Sequence, residues 1–188
     1  MKRKQLKIAL VLMAIVAISV SAFFLASNLE NNIAFRNFVE SAGIFGVILV
    51  AFICGLDAFV PIPPATFAPL FLEAGFSHTL VIFGFVVGTL MADSVGYLLG
   101  WYGRDYTHSS FPRLTKKLHE FLKQHSHLVQ PVIWLYAALA PLPNEILLIP
   151  LALSGYSYKK LILPLIIGSI FHHSVMVFGY QNLFKLFF

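Results

Sequence analysis

Apolar residues run through this chain in long stretches, and polar residues gather between them. The first stretch, residues 7–27, follows the basic start MKRKQL. A cleaved signal peptide also begins this way. However, residues 8–26 are long for a signal core, and Ser21-Ala22-Phe23 is a poor cleavage site. The pattern predicts an uncleaved anchor helix within residues 1–27, with the chain emerging outside at Asn28. Residues 28–40 are polar and are expected to be extracytoplasmic.

Residues 42–75 are apolar but interrupted by PIPP at 61–64 and by Pro69. Each proline removes a backbone hydrogen bond and clashes with the preceding turn, so no straight helix runs through. Irregular backbone at membrane depth is tolerated only where protein or a water-filled cavity covers it. The pattern predicts a re-entrant helical hairpin, entering and leaving on one side. Residues 79–102 predict the cleanest transmembrane helix. Its Gly84, Gly88, Ala92, Gly96 and Gly100 form a small-residue stripe that lets another helix approach.

Residues 103–128 read as a basic cytoplasmic linker. Ser110 with Pro112 marks a helix start there. Leu114, Leu118, Phe121, Leu122 and His125 then share one face, as in an amphipathic helix lying on anionic headgroups. Residues 129–155 repeat the broken pattern, with PLPN at 141–144 and Pro150, and residues 161–184 predict a last spanning helix.

Composition removes the soluble alternatives. Of 188 residues, 59% are hydrophobic and 11% charged, against about 25% charged in soluble domains. The length allows one membrane domain, residues 1–188, and no separate soluble module. The net charge of +5 comes from clusters at Lys2, Arg3, Lys4 and Lys7, at residues 104–123, and at Lys159 and Lys160. Each flanks an apolar run, which is the positive-inside pattern and not a nucleic-acid footprint. It places the protein in a cell membrane, plasma or bacterial inner, as a multi-pass chain with a cytoplasmic N-terminus. Cys54, the single cysteine, makes no intramolecular disulfide and reads as a small buried hydrophobe.

The chain also repeats itself at an offset of 80 residues. VPIPPATFAPLFLEAGFS (60–77) lies over APLPNEILLIPLALSGYS (140–157). Pro61 and Pro63 match Pro141 and Pro143, and Gly75 matches Gly155. Downstream, Gly88 matches Gly168, Thr89 matches Ser169 and Ser94 matches Ser174. The prolines and glycines at these positions are read as the structural breaks of two hairpins. The expected architecture is all-α: an anchor helix, repeat 1 over 42–102, the linker 103–128, and repeat 2 over 129–184. One net crossing per unit inverts the second copy. Inverted repeats with broken helices are a transporter architecture, with the site near the midplane.

Ionisable groups at membrane depth are costly and need a reason. Asp57 stands four residues before Pro61, and Glu145 directly follows PLPN, so each marks a hairpin break. A carboxylate there can carry a proton, since desolvation raises its pKa. It can equally cap broken-helix amides. Glu73 is expected at the interface. Asp93 is mid-helix, and its repeat partner is His173, beside His172. These suggest a proton relay, a metal site or a polar contact between helices. Neighbouring residues on a helix diverge by about 100°, so both histidines do not easily bind one metal, and no HExxH or CxxC accompanies them. Asn144 is a candidate substrate or helix-end contact, and Arg104 a candidate topology anchor. No cofactor, metal or catalytic residue is expected.

Taken in order, these features resemble the DedA family, also called the VTT or SNARE-associated-domain superfamily. They are an acid (Asp57), PxPP, AGF, a glycine-spaced helix with Asp93, LGWYGR, a basic linker, and a second proline-broken segment. The likeness covers about residues 40–184. It implies paired inverted hairpins and lipid transport: recycling of polyprenyl-phosphate carriers in bacteria, phospholipid scrambling in eukaryotic relatives, and dependence on the proton-motive force. It places Asp57 and Asp93 at the family's acids. The chain departs from the family at Thr66, where a second acid is common, and at Ala138 and Asn144, where two arginines are common.

The expected function is translocation of lipid or lipid-phosphate, without enzymatic chemistry. Asp57, Asp93, Asn144, Glu145 and His173 form the expected transport or proton site. Expected partners are membrane lipids, polyprenyl phosphate among them, and protons. Nucleic acid is not one, and a homo-oligomer is compatible. Two other classes share these features: a small-solute or ion transporter of the same architecture, and an intramembrane enzyme built on Asp93 and His173.

Overall fold

The computed structural model describes residues 32–56, 62–110, 117, 120–122, 124–140 and 142–187. The expected anchor helix, Asp57, Pro61 and Pro141 lie outside these residues. Every element among them is helical: α1 Ile33–Ala42, α2 Ile44–Gly55, a 3-10 turn Pro64–Phe67, α3 Ala68–Glu73, α4 His78–Ser110, α5 Ser126–Leu139, α6 Glu145–Leu153 and α7 Tyr158–Phe187.

Two of these helices are long and apolar enough to cross a membrane. They contribute 27 residues over His78–Arg104 and 22 over Tyr158–Gly179, against the roughly 20 a bilayer requires. Their outer faces expose Phe83, Met91 and Leu98 on α4 and Ile167, Phe171 and Phe178 on α7. Contiguous apolar surface of this kind is covered by lipid or protein, not water. By contrast α2 and α6, with 12 and 9 residues, reach only about 18 and 14 Å at 1.5 Å per residue.

Two boundaries differ from the sequence pattern. The polar stretch before residue 42 carries α1, started by Asn32, whose Oδ1 accepts from the N–H groups of Ala34 and Phe35. Gly43, at φ 58°, then turns the chain into α2. In addition, α4 continues past Tyr102 to Ser110. Polar side chains do not end a helix, and residues 103–110 hold no proline that would.

The small-residue stripe on α4 serves two partners. A Cβ on Gly84 would fall 2.6 Å from Val47, and one on Gly88 2.5 Å from the Ala51 Cβ. So α2 runs parallel to the first half of α4. Farther along, Gly96 meets Glu145 and Gly100 meets the Ile149 carbonyl, with added Cβ atoms at 2.8 and 2.7 Å. The second half of α4 therefore belongs to α6. The long helix α7 does the same. Gly168 takes α5 against it, a Cβ there lying 2.7 Å from Ala137, while the 3-10 turn and α3 pack on α7 through the core of Phe67, Phe71 and Val177. The two long helices are antiparallel, since His78 stacks on Phe178 at 5.4 Å and Ser94 meets Tyr158 at 2.6 Å.

Backbone bonds recur at the 80-residue offset. Thr66 N–H donates to Pro63 O (3.0 Å) and Ile146 N–H to Pro143 O (3.2 Å). Phe76 N–H donates to Phe71 O (3.1 Å) and Tyr156 N–H to Leu151 O (3.0 Å). The latter pair, with Gly75 and Gly155 at φ 90° and 80°, is the left-handed C-terminal cap that glycine makes at no steric cost.

Candidate functional site

Asp93 and His173 each lie fifteen residues past the first residue of their long helix. Both are buried, 2% and 4% exposed. The hydroxyl residues one turn earlier, Thr89 and Ser169, are buried as well. Four polar side chains are thus buried in the middle of the two long helices, and polar groups at such depth mark function or a helix contact.

The ends of the short helices meet this cluster. Glu145 opens α6, is 6% exposed, and packs its Cγ on Gly96, one turn from Asp93. An acid in the first turn is favoured by the partial positive charge of unpaired N–H groups there. Asn144 occupies the N-cap of α6 but makes no cap bond. Its Nδ2 instead donates to Asp93 Oδ2 at 3.2 Å. On α5, the Ala138 carbonyl lies in the last turn, where intrahelical partners run out, and the His172 Nδ1–H reaches it at 3.4 Å. The Tyr136 hydroxyl donates to Pro143 O at 3.0 Å and straps the break between α5 and α6.

The structure therefore brings Asn144 onto Asp93 and sets Glu145 one turn away at Gly96, while His173 meets Thr89, one turn before Asp93. Glu73 ends α3 and is exposed. Pro63 and Pro143 hold the starts of the segments they precede, and Gly75 and Gly155 end them. The sequence pattern read Pro150 as part of a break, yet it lies inside α6.

Sequence reasoning missed Thr89 as a site residue. Its hydroxyl donates to Phe85 O at 2.8 Å and meets His173 Nε2 at 3.3 Å. The signal was present in the Thr89–Ser169 match, which sits one turn before Asp93 and His173. Among the described residues, no group of three His, Cys, Asp or Glu side chains is placed to hold a metal ion.

Comparison with protein-family models, curated proteins and solved structures finds no match. The fold itself defines the class: a helical membrane protein with a buried polar cluster between two long apolar helices.

Proposed function

We propose that this chain is a multi-pass transporter of the cell membrane that translocates lipid or lipid-phosphate, phospholipid or polyprenyl phosphate, with a proton as coupling ion. In this reading it is a divergent DedA-type protein of two inverted repeats, each a re-entrant hairpin and a spanning helix.

The observation that carries it is the polar cluster where the short helices end. The last residue of α2, Gly55, stands level with Ala92, one residue from Asp93. Helix α6 starts at the same level and runs on with α4. Short helices that stop beside buried carboxylates, each too short to cross, suit two hairpins that meet head to head. That is where transporters of this architecture bind their cargo. Asp57, outside the described residues, is the first-hairpin acid of this proposal.

The far end of α4 supports a cytoplasmic linker and N-terminus. Arg104 lies over Trp101 at 5.0 Å and Lys160 over Tyr156 at 5.9 Å. Aromatic and basic residues collect in this way at the cytoplasmic headgroup level.

The test is reconstitution into liposomes carrying labelled phospholipid or polyprenyl phosphate, with headgroup exposure followed over time. Protein-dependent translocation is expected, faster under a proton gradient. A folded preparation that moves none of these lipids would sink the proposal. The deep burial of Asp93 and His173 favours one competitor, a transporter of a small solute or ion, which would show solute flux in the same liposomes and no lipid movement.

A further inference from the structure

One atom of the cluster has its chemistry set by its neighbours. The Thr89 hydroxyl carries a single proton, and two backbone carbonyls, which can only accept, draw it away from His173: Phe85 O at 2.8 Å and Val86 O at 3.2 Å. Toward His173 the same oxygen can then only accept, so His173 Nε2 carries the hydrogen across the 3.3 Å contact. In the neutral ring this leaves Nδ1 as a bare lone pair. Nδ1 is buried and meets no hydrogen-bond partner among the described residues, although buried polar atoms of folded proteins nearly always have one.

Among the described residues, the groups placed against the ring supply no donor to Nδ1. Phe85 of α4 meets it edge-on at 5.6 Å. His172 of α7 stands at 86° to it, with its own Nδ1–H committed to Ala138 O. Among the described residues, the buried carboxylates carried by the packed helices are Asp93 on α4 and Glu145 on α6. The 3-10 turn packed against α7 carries no charge.

We propose that Thr89 is a positioning residue that holds His173 as its Nε2–H tautomer, so that Nδ1 accepts a hydrogen bond from an O–H donor entering the site. The donor is a water molecule or a hydroxyl of the transported lipid. This rests on the cluster being the transport site, and it adds the acceptor atom and the chemical class that the atom takes.

The test is nitrogen-15 NMR of the full chain with labelled histidine, in bilayers of phosphatidylcholine, which has no O–H donor, and of phosphatidylglycerol, which has. His173→Gln identifies the resonance, because glutamine keeps a donor for Thr89 and lacks Nδ1. One Nε2–H tautomer with a hydrogen-bonded Nδ1 is expected. A bond in both lipids identifies water, and a bond in phosphatidylglycerol alone identifies the lipid hydroxyl. An Nδ1–H tautomer in the wild type, or a bare Nδ1 with no bond in either lipid, overturns the proposal. Thr89→Val should release the ring into a mixture of tautomers and Thr89→Ser should restore the single one. A Thr89→Val spectrum identical to wild type also overturns it. In transport, His173→Gln should cost roughly tenfold in rate with the fold intact, the worth of about one hydrogen bond. The NMR result stands whether or not lipid movement is observed, so this inference and the transport reading fail separately.

Discussion

Asn144 donates its side-chain amide to the Asp93 carboxylate across 3.2 Å, joining the first turn of α6 to the middle of α4. At a helix N-cap this side chain ordinarily serves its own helix. Here it is diverted to a buried acid. Asn144→Leu removes a donor from that acid and should destabilise by about 1–3 kcal/mol, seen as a lower unfolding temperature in detergent. Asn144→Asp sets a second carboxylate beside Asp93, and two such groups share a proton more readily than both ionise. This variant should therefore be more stable in mild acid than at neutral pH. An unchanged stability profile would show that the contact carries no weight.

Gly88 and Gly96 belong to one stripe but should fail differently. A Cβ on Gly88 runs into the Ile48 carbonyl and the Ala51 Cβ, both at 2.5 Å, and backbone cannot step aside. Gly88→Ala should cost about 1–3 kcal/mol through overpacking. A Cβ on Gly96 meets the flexible Glu145 side chain at 2.8 Å. Gly96→Ala should keep most of the stability and, if the proposed transport holds, reduce it, because it displaces the acid. Paired thermal unfolding and flux measurements separate the two.

The two helix-end glycines with positive φ, Gly75 and Gly155, give a graded comparison. At φ 90°, Gly75 has nothing within 4 Å of an added Cβ, so Gly75→Ala should cost only the left-handed backbone strain, about 1–2 kcal/mol. At φ 80°, Gly155 has the Arg104 guanidinium 3.2 Å from that Cβ. Gly155→Ala should therefore cost more, and Arg104→Ala in the same chain should narrow the difference. Equal unfolding temperatures for Gly75→Ala and Gly155→Ala would contradict this.

Tyr136→Phe deletes the hydroxyl that straps Pro143 across the break between α5 and α6. A loss of about 0.5–1.5 kcal/mol is expected. Amide exchange should accelerate at Ile146 and Leu147, whose N–H groups bond Pro143 and Asn144, and not in the middle of α4.

Much of this protein follows from local order along the chain. The two spanning helices follow from uninterrupted apolar length. The starts of the short segments follow from Pro63 and Pro143, whereas the single prolines Pro131, Pro150 and Pro164 are accommodated inside helices. The caps at Gly75 and Gly155 follow from the one residue that takes positive φ freely. The 80-residue offset pointed to them as a pair before any coordinates, and the recurring backbone bonds have the same spacing. The acids of the candidate site, Asp93 and Glu145, were legible because ionisable residues are rare in such segments.

Other features depend on which surfaces meet, and spacing does not encode that. The glycine stripe read as one interface, yet α2 takes Gly84 and Gly88 while α6 takes Gly96 and Gly100. A helix surface presents small residues to whatever packs there, so only tertiary contact divides them. Nor does the chain order reveal that Asn144 reaches Asp93, or that Thr89 faces His173 across 84 residues. Hydrogen bonds act over about 3 Å, so these depend on the approach of α4, α6 and α7. The sequence by itself determined a membrane-helical chain with broken segments and buried acids. The tertiary structure decided which of those buried groups touch, because short-range polar bonds form only after packing has set the distances.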